Sequence, residues 1–273
     1  MREVAVIGIG QTRIDEHWDK SLKDLAGEAV LEAVKDAGLN QVDALYVGNM
    51  MSASSNHQAQ LGAYIADWVG LRYAESFKLE SACSSGAAAF RTALMAVASG
   101  AIDTAVAVGV EKMTDSPGGE ITASLATAAD SDWEVSQGIS FVAINALIMK
   151  RYMYEYGWTK EAFAPFSVNA HANGAHNPFA RFQKPITAEQ YLKAGMINDP
   201  INLMDASPIG DGAAAVVMVP LEKLGPSSAN PVVKIIGSSA ATDSIAVHDR
   251  KRPLWLKAAE LSSKKAYNQA GIS

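Results

Sequence analysis

The chain has 273 residues, of which 49% are hydrophobic, and its formal net charge of −6 contains no long run of one sign, so nucleic acid is an unexpected partner. No stretch has the roughly eighteen uninterrupted apolar residues of a membrane span, and the first residues do not resemble a signal peptide. A single cysteine excludes an internal disulfide and a cysteine-based zinc site, and the cytoplasm is the expected compartment.

The first part of the chain alternates between predicted strands and predicted helices. Apolar runs predict buried strands at residues 4–9, 44–47, 75–79 and 104–110. Amphipathic spacing predicts helices at 21–38 and 57–69, and Ser21 with Asp24 resembles a capping box at the start of the first. This alternation predicts an α/β fold with a mostly parallel sheet and helices on both faces.

The middle of the chain has a different composition. Residues 116–208 are richer in polar and aromatic side chains, with helix-like segments at 139–156 and 159–173. We interpret them as a loop or lid region inserted after a core segment at residues 1–115. The sheet pattern resumes in residues 209–222, where the run AAAVVMV at 213–219 predicts the last strand of the N-terminal half.

The end of the chain repeats its beginning. Residues 232–237 (VVKIIG) resemble 4–8 (VAVIG), and a predicted helix at 253–270 closes on Ala-Gly-aliphatic, as does the helix at 21–38. Residues 223–273 therefore predict the start of a second copy of the first fold unit. Because this copy stops after its first helix, we expect a complete N-terminal half and a C-terminal half that has only begun.

The only cysteine, Cys83, is the strongest candidate for chemistry. It lies in the segment LESACSSG at 79–86, where a predicted strand ends and a small-residue helix begins. Arg91 is the one charge between residues 84 and 100, so this helix is predicted to be buried nearly all round. Unpaired N–H groups at a helix start favour a thiolate and a reactive cysteine. The alternative interpretation is a small buried hydrophobe without a role.

Other motifs give weaker signals. Gly8-Ile9-Gly10 lacks the third glycine of a dinucleotide-binding fingerprint, because position 13 is arginine. His171 and His176 are five residues apart, which does not suit a helical metal pair, and no metal site is predicted. His57 could be a polar cap or a site residue, and the basic run at 248–252 (HDRKR) could meet phosphates or be a solvated loop.

Four motifs taken together resemble the thiolase family. They are VAVIGIGQT at 4–12, ESACSSG at 80–86, VEKMT at 110–114 and DASPIGDGAA at 205–214, in this order. The segments KRYMYEYG and NPFARF are similar as well, so the resemblance covers essentially the whole chain. Its form is closest to the archaeal and sterol-carrier-protein-type thiolases, which are acetyl-CoA acetyltransferases and their relatives in lipid metabolism.

The resemblance implies a layered α-β-α-β-α fold and an acyltransferase. Such enzymes form or cleave a carbon–carbon bond between acyl groups carried on coenzyme A, through an acyl-cysteine intermediate. By position, Cys83 is the nucleophile, its own N–H donates to the oxyanion, and Ser207 lines the channel beside the pantetheine arm. Coenzyme A thioesters are substrates here, and no cofactor or metal is implied. Asp205 and Pro208 depart from the Asn and Gly of many members.

The resemblance also implies residues that this sequence does not contain. The family uses a Gly-His-Pro histidine, a second cysteine and an Asn- or His-containing segment, and none of these occurs in the 273 residues. We therefore expect the chain alone to be poorly active. The alternatives are a non-catalytic homologue that binds acyl-CoA or a partner, and one subunit of a split thiolase. A homo-oligomer and a partner protein from the same pathway are both expected.

Overall fold

A computed structural model describes residues 1–225 and 231–272, which form two compact units. The first unit comprises Met1–Ser116, Gly210–Ser239 and Ser263–Ser273, and the second comprises Pro117–Ile209 and Ala240–Ser262. The sheet, Cys83 and the N-terminal motifs belong to the first unit, and Ser207 belongs to the second. The role of residues 116–208 as a lid stays a prediction.

The first unit is built on a six-stranded mixed sheet. The strands of the described residues are β1 (Val4–Gln11), β2 (Ala44–Gly48), β3 (Glu75–Leu79), β4 (Ala105–Glu111), β5 (Met196–Asn198), β6 (Ile201–Asn202), β7 (Gly212–Pro220) and β8 (Val233–Lys234). The sheet order is β3-β2-β4-β7-β1-β8, while β5 and β6 pair in the second unit. All six strands of the sheet lie on the predicted segments, and the α/β class is confirmed.

The direction of β7 differs from the predicted parallel pattern. The strand β2 pairs in parallel with β3 and β4, whereas β7 lies antiparallel between β4 and β1. Glu111 at the end of β4 is paired with Gly212 at the start of β7. The chain therefore re-enters the sheet at the same end at which β4 leaves it. A strand that starts where its neighbour ends must run antiparallel to that neighbour, as β7 does to β4.

Helices cover both faces of this sheet. The helices of the described residues are α1 (Leu22–Asp36), α2 (Ser52–Ser55), α3 (Leu61–Trp68), α4 (Ser85–Ser99), α5 (Gly118–Ala126), α6 (Phe141–Tyr156), α7 (Ala164–Gly174), α8 (Ala188–Lys193) and α9 (Lys257–Ala270). On one face, α1 and α3 bury Leu25, Ala33 and Ile65 against the sheet, and on the other α4 buries Ala89 and Val97. The predicted coverage of both faces is confirmed.

Three predicted helices begin later than expected, and the short helices α2, α5 and α8 are not predicted. The helix predicted at 57–69 is observed as α3 and begins only at Leu61, because His57 (φ 54°) and Gln60 (φ 49°) have left-handed backbones; α2 lies before the predicted segment. The helix predicted at 253–270 begins only at Lys257, as α9. The helix predicted at 159–173 begins as a 3-10 turn, and α7 starts only at Ala164, with Pro165 in its first turn. The short helices α5 and α8 have no periodic apolar pattern long enough to predict them.

The helix α4 is not buried all round. Its buried residues follow a single stripe along the side that packs on the sheet: Ser85, Ala89, Ala93, Val97 and Ala98. Gly86, Ala87 and Met95 on other sides are exposed. The apolar composition therefore misled the prediction, because described residues cover only one face of this helix. The apolar composition shows that this helix carries only one charge, Arg91, and not that it is buried.

The two segments of the predicted repeat share one packing feature. A Cβ atom on Gly8 would lie 2.3 Å from Ala33 O, and a Cβ on Gly237 would lie 2.4 Å from Ala266 O. In both places a glycine lets a helix backbone lie directly on the segment before it. The closing glycines match as well, since Gly38 (φ 68°) and Gly271 (φ 67°) both follow the helix end in the left-handed conformation.

The second unit consists mainly of helices. It contains α5 to α8 and the paired strands β5 and β6. Glu134 ties its two chain segments together, because its carboxylate accepts the N–H of Asp130 (3.1 Å) and the N–H of Val247 (2.7 Å). In neither unit is a described helix long and apolar enough to cross a bilayer.

Candidate functional site

Cys83 lies in the turn that joins β3 to α4. It is the central residue of a 3-10 turn, Ala82–Ser84, and α4 begins immediately after it at Ser85. The predicted strand–cysteine–helix order is therefore present. The thiol is free and its residue is exposed, so the burial assumed by the alternative interpretation is not observed. A ligand can reach the sulfur without a rearrangement of the core.

The residue before Cys83 has a strained backbone. Ala82 has φ 45°, in the left-handed region, which costs an L-residue about 1–2 kcal/mol. The buried hydroxyl of Ser85 accepts the N–H of Ser81 (2.9 Å) and donates to Ala82 O (2.7 Å). The N–H of Ala82 donates to the carboxylate of Glu80. Three bonds of about 0.5–1.5 kcal/mol each are large enough to offset the cost of this conformation.

Glycines bring the start of α4 onto the strand ends. A Cβ on Gly48, the last residue of β2, would lie 2.3 Å from Ser85 O. Gly86 in the first turn of α4 faces Gly109 of β4, and a Cβ on Gly109 would lie 3.5 Å from the Cα of Gly86. The turn that holds Cys83 is thus seated directly against β2 and β4.

Glu111 links the ends of these strands through a hydrogen-bond network. Its carboxylate accepts Asn49 Nδ2 (3.0 Å) and the N–H of Met50 (2.5 Å), and Asn49 Nδ2 also donates to Val110 O (2.8 Å). The N–H of Asn49 donates to Leu79 O (3.2 Å), at the end of β3. Burial raises the pKa of the Glu111 carboxyl above its usual range, although these N–H donors lower it in part.

Lys112 and Asp211 form a buried ion pair beside this network. The distance between Lys112 Nζ and Asp211 Oδ2 is 2.9 Å, and neither side chain is exposed. Asp211 also accepts the N–H of Met113 (2.7 Å) and the hydroxyl of Thr114 (2.6 Å). Burial raises the pKa of Asp211, but its bonds with Lys112 and its other donors outweigh this and hold the pKa below its usual range. The ion pair therefore connects two of the sequence motifs, VEKMT and DGAA.

Arg91 of α4 binds Ser238, a partner that the sequence does not reveal. Its Nη1 donates to Ser238 O (2.6 Å) and to Ser238 Oγ (3.1 Å). The N–H of Ser238 in turn donates to Gln269 Oε1 of α9 (2.9 Å). A lone charge on an apolar helix indicates that Arg91 has a polar partner, but a partner 147 positions away leaves no local sequence pattern that identifies it.

Ser207 lies in the second unit, in an exposed loop that follows β6. Asp205 anchors this loop, because its carboxylate accepts the hydroxyl of Tyr191 (2.6 Å) and the N–H of Asn202 (2.9 Å). Lys160 Nζ lies 3.2 Å from Asp205 Oδ2. Lys160 thus provides a positive charge beside this carboxylate. Cys83 and Ser207 belong to different units, and each is placed only within its own.

The weaker candidates have structural explanations. The Cβ clash at Gly8, and one of 2.2 Å to Ala29 O at Gly10, show that both glycines serve strand–helix packing. His171 Nδ1 is 3.2 Å from Lys184 O, and its ring stacks on Phe182. Among residues 1–225 and 231–272, no three His, Cys, Asp or Glu side chains are grouped as metal ligands would be.

His57 and the basic run are also placed by the structure. His57 is exposed, in the left-handed loop between α2 and α3. In the run 248–252, His248 lies edge-on to Trp133 with 6.3 Å between ring centroids, and the guanidinium of Arg252 lies over Trp255 at 4.9 Å. Both ends of the basic run are therefore held against aromatic rings.

Known proteins resemble the chain over its full length. The family described as "Thiolase, N-terminal domain" matches residues 4–222. The acetyl-CoA acetyltransferase of Methanothermobacter thermautotrophicus is 42% identical, with 100% of this chain and 71% of the relative covered. The acetyl-CoA acetyltransferase of Methanocaldococcus jannaschii is 40% identical, with 100% and 70% covered.

Solved structures agree on the fold. The Ltp2-ChsH2(DUF35) aldolase superposes with a TM-score of 0.78 at 27% identity, covering 99% of this chain and 70% of that one. Human mitochondrial 3-ketoacyl-CoA thiolase in complex with CoA gives a TM-score of 0.74 at 16% identity, covering 100% and 76%. At 16% identity, the similarity to the human thiolase concerns the fold alone.

Proposed function

Since the chain belongs to the thiolase family of acyl-CoA-transferring enzymes, we propose that it transfers acyl groups through an acyl-cysteine on Cys83. The observation that carries this proposal is the exposed thiol of Cys83 in the strand-to-helix turn of the family-matched region. The chain is then an acetyl-CoA acetyltransferase that forms or cleaves a carbon–carbon bond between acyl groups on coenzyme A.

The first step exchanges one thioester for another. The sulfur of Cys83 adds to the thioester carbonyl, the carbonyl–sulfur bond to coenzyme A breaks, and the proton of Cys83 leaves with the CoA thiol. Little bond energy changes, so the step needs positioning and support for the oxyanion more than driving force. The N–H of Cys83 is the proposed donor to that oxyanion. The acyl group then passes either to the CoA thiol, whose proton returns to Cys83, or to the α-carbon of a second acyl-CoA, whose α-proton a general base must accept.

We propose Ser207 as a contact for the pantetheine arm of the substrate. Its exposure in a loop fixed by Asp205 supports this, since an exposed serine on an anchored loop can donate to a ligand. Ser207→Ala should raise the KM for acetyl-CoA and leave alkylation of Cys83 by iodoacetamide unchanged. An unchanged KM would remove Ser207 from the substrate site.

Turnover by these 273 residues alone is proposed to be slow. The sequence holds no second cysteine and no histidine followed by proline, and a positioned general base contributes about 10²–10⁴-fold to rate. A split enzyme whose partner supplies these groups is the second candidate. One observation favours it: the aldolase that superposes at a TM-score of 0.78 carries a name that joins Ltp2 with ChsH2(DUF35).

Self-association is proposed through the edge of the sheet. The strand β3 is the outer strand on its side, and Phe77 on it is 56% exposed. An open edge with an exposed aromatic residue is a ready template for another strand. Phe77→Lys should shift the chain toward a monomer in analytical ultracentrifugation.

A cytoplasmic location is supported by the free, exposed thiol, which suits a reducing compartment.

The proposal is tested by weighing the intact chain after incubation with acetyl-CoA. One added acetyl group, absent in Cys83→Ala, is the expected result. If no adduct forms while equilibrium dialysis still shows acetyl-CoA binding, the chain is a non-catalytic binding homologue. Rapid thiolysis of acetoacetyl-CoA by the chain alone would contradict the expected slow turnover.

A further inference from the structure

The conformation of one residue fixes the direction in which Cys83 leaves the sheet. Ala82 immediately precedes Cys83 and is left-handed, with φ 45°. If its φ were negative, the peptide between Ala82 and Cys83 would turn, and with it the N–H of Cys83. The thiol and this N–H belong to one residue, so their joint placement depends on the backbone torsions of Ala82.

Ser85 holds that conformation from a buried position. Its hydroxyl bridges the two residues on either side of the Ser81–Ala82 peptide, accepting from Ser81 N–H and donating to Ala82 O. Ser85 is only 4% exposed, and its own carbonyl is pressed against Gly48. Glu80 completes the arrangement by accepting the N–H of Ala82. No other residue of the turn contacts both sides of Ala82 in this way within the described structure.

We propose that Ser85, assisted by Glu80, is a positioning residue for acyl transfer, which holds Ala82 left-handed so that the Cys83 N–H can stabilise the oxyanion. This inference rests on the proposed function of Cys83. Ser85 acts through the backbone and touches no substrate. Its loss should leave the thiol accessible and the fold intact but should misdirect the N–H donor.

Two reagents separate these effects by their chemistry. Iodoacetamide is attacked at a saturated carbon: the sulfur–carbon bond forms, iodide leaves, and no oxyanion arises. p-Nitrophenyl acetate is attacked at a carbonyl: an oxyanion forms, p-nitrophenolate leaves, the acetyl group stays on the sulfur, and the thiol proton goes to solvent. Only the second reaction needs an aligned N–H donor.

The experiment measures both rates at Cys83 by intact mass in the full chain. Ser85→Ala should slow acetylation by p-nitrophenyl acetate about tenfold, less than the 10²–10³ lost when an oxyanion donor is deleted. Alkylation by iodoacetamide should change by less than about twofold, because it follows thiol exposure. Ser99→Ala is the matched control, since Ser99 Oγ donates to Ala96 O in the same helix with the same three-residue spacing.

A second substitution tests whether the effect passes through Ala82. Glycine adopts positive φ without a steric cost, so Ala82→Gly added to Ser85→Ala should restore most of the acetylation rate. Glu80→Ala should slow acetylation, whereas Glu80→Gln, which keeps an acceptor oxygen, should slow it less. If Ser85 only stabilised the fold, Ala82→Gly would not restore the acetylation rate of the Ser85→Ala variant.

The outcomes decide the inference separately from the proposed function. It is overturned if Ser85→Ala leaves acetylation unchanged, if both reagents slow equally, if glycine does not rescue, or if p-nitrophenyl acetate fails to acetylate the unsubstituted chain. If p-nitrophenyl acetate behaves as expected while acetyl-CoA gives no adduct, the positioning role stands and the acyl-CoA transferase function fails.

Discussion

Lys112 and Asp211 are 99 positions apart in the chain, yet their side chains form an ion pair of 2.9 Å with neither exposed to solvent. The pair joins the residues after β4 to those before β7. It fixes the point at which the chain leaves the sheet and the point at which it returns.

Removal of one partner should strongly destabilise the first unit. Lys112→Met leaves the Asp211 carboxylate buried without its cation, at a cost of about 3–5 kcal/mol of unfolding free energy. Asp211→Asn should cost less, because Lys112 Nζ keeps its ion pair with Asp115 at 2.8 Å. The double variant should cost less than the sum, because no lone charge is left buried. Urea denaturation measures this, and Lys193→Met is the control, since Lys193 is 75% exposed in its pair with Glu189. A loss at Lys112→Met as small as the control's would contradict a structural role.

The stability contributed by Asp211 should depend on pH in a defined direction. A carboxyl whose folded pKa lies below its unfolded value of about 3.9 stabilises the fold above that pH and loses the contribution as pH falls through the folded pKa. Between pH about 5 and 3, the native chain should therefore lose unfolding free energy faster than Asp211→Asn. Urea titrations across this range measure both slopes. Parallel slopes would show that the Asp211 carboxyl does not carry the effect.

Gly48 should tolerate no side chain. In Gly48→Ala the new Cβ would lie 2.3 Å from Ser85 O, so the start of α4 must move away from β2. We expect a loss of about 1–3 kcal/mol of unfolding free energy, together with slower acetylation of Cys83. Gly119→Ala in α5 is the control, because apart from its chain neighbours and its own helix backbone no described atom lies within 4 Å of its Cβ position. Native-like acetylation in Gly48→Ala would show that the turn does not depend on this contact.

Asp205 should hold the loop of Ser207. Asp205→Asn removes the charge that faces Lys160 and one acceptor for Tyr191 or Asn202, at a cost of about 1.5–3 kcal/mol. The loop should also become more sensitive to proteolysis near Ser207. Asp199→Asn is the matched control, since its pair with Lys150 is 66% and 65% exposed. Cleavage that is equal in both variants would contradict the anchoring role.

The sequence predicts the elements of the first unit because their signals are local. The strand predicted at 75–79 is observed as β3 (Glu75–Leu79), and α1 begins with the expected reciprocal bonds between Ser21 and Asp24. An apolar run or a capping box needs only near neighbours, so it can be identified without the fold. The position of Cys83 between strand and helix follows from the same local patterns.

The geometry of the site could not be predicted in this way. Nothing in the composition shows that Ala82, rather than a glycine, is left-handed, because the hydroxyl of Ser85 imposes it from three residues away. The antiparallel direction of β7 depends on where the chain re-enters the sheet after the second unit. The exposure of Met95 on α4 depends on what covers the helix, which no periodicity encodes.

The paired glycines of the repeat have a consequence for the ancestry of the chain. Gly8 and Gly237 occupy positions where the helix backbone leaves no room for a Cβ. After a duplication, most side chains of two copies can diverge independently, but such a position accepts no replacement without moving its helix. For the predicted repeat, these two glycines are therefore the positions at which its two segments should first be aligned.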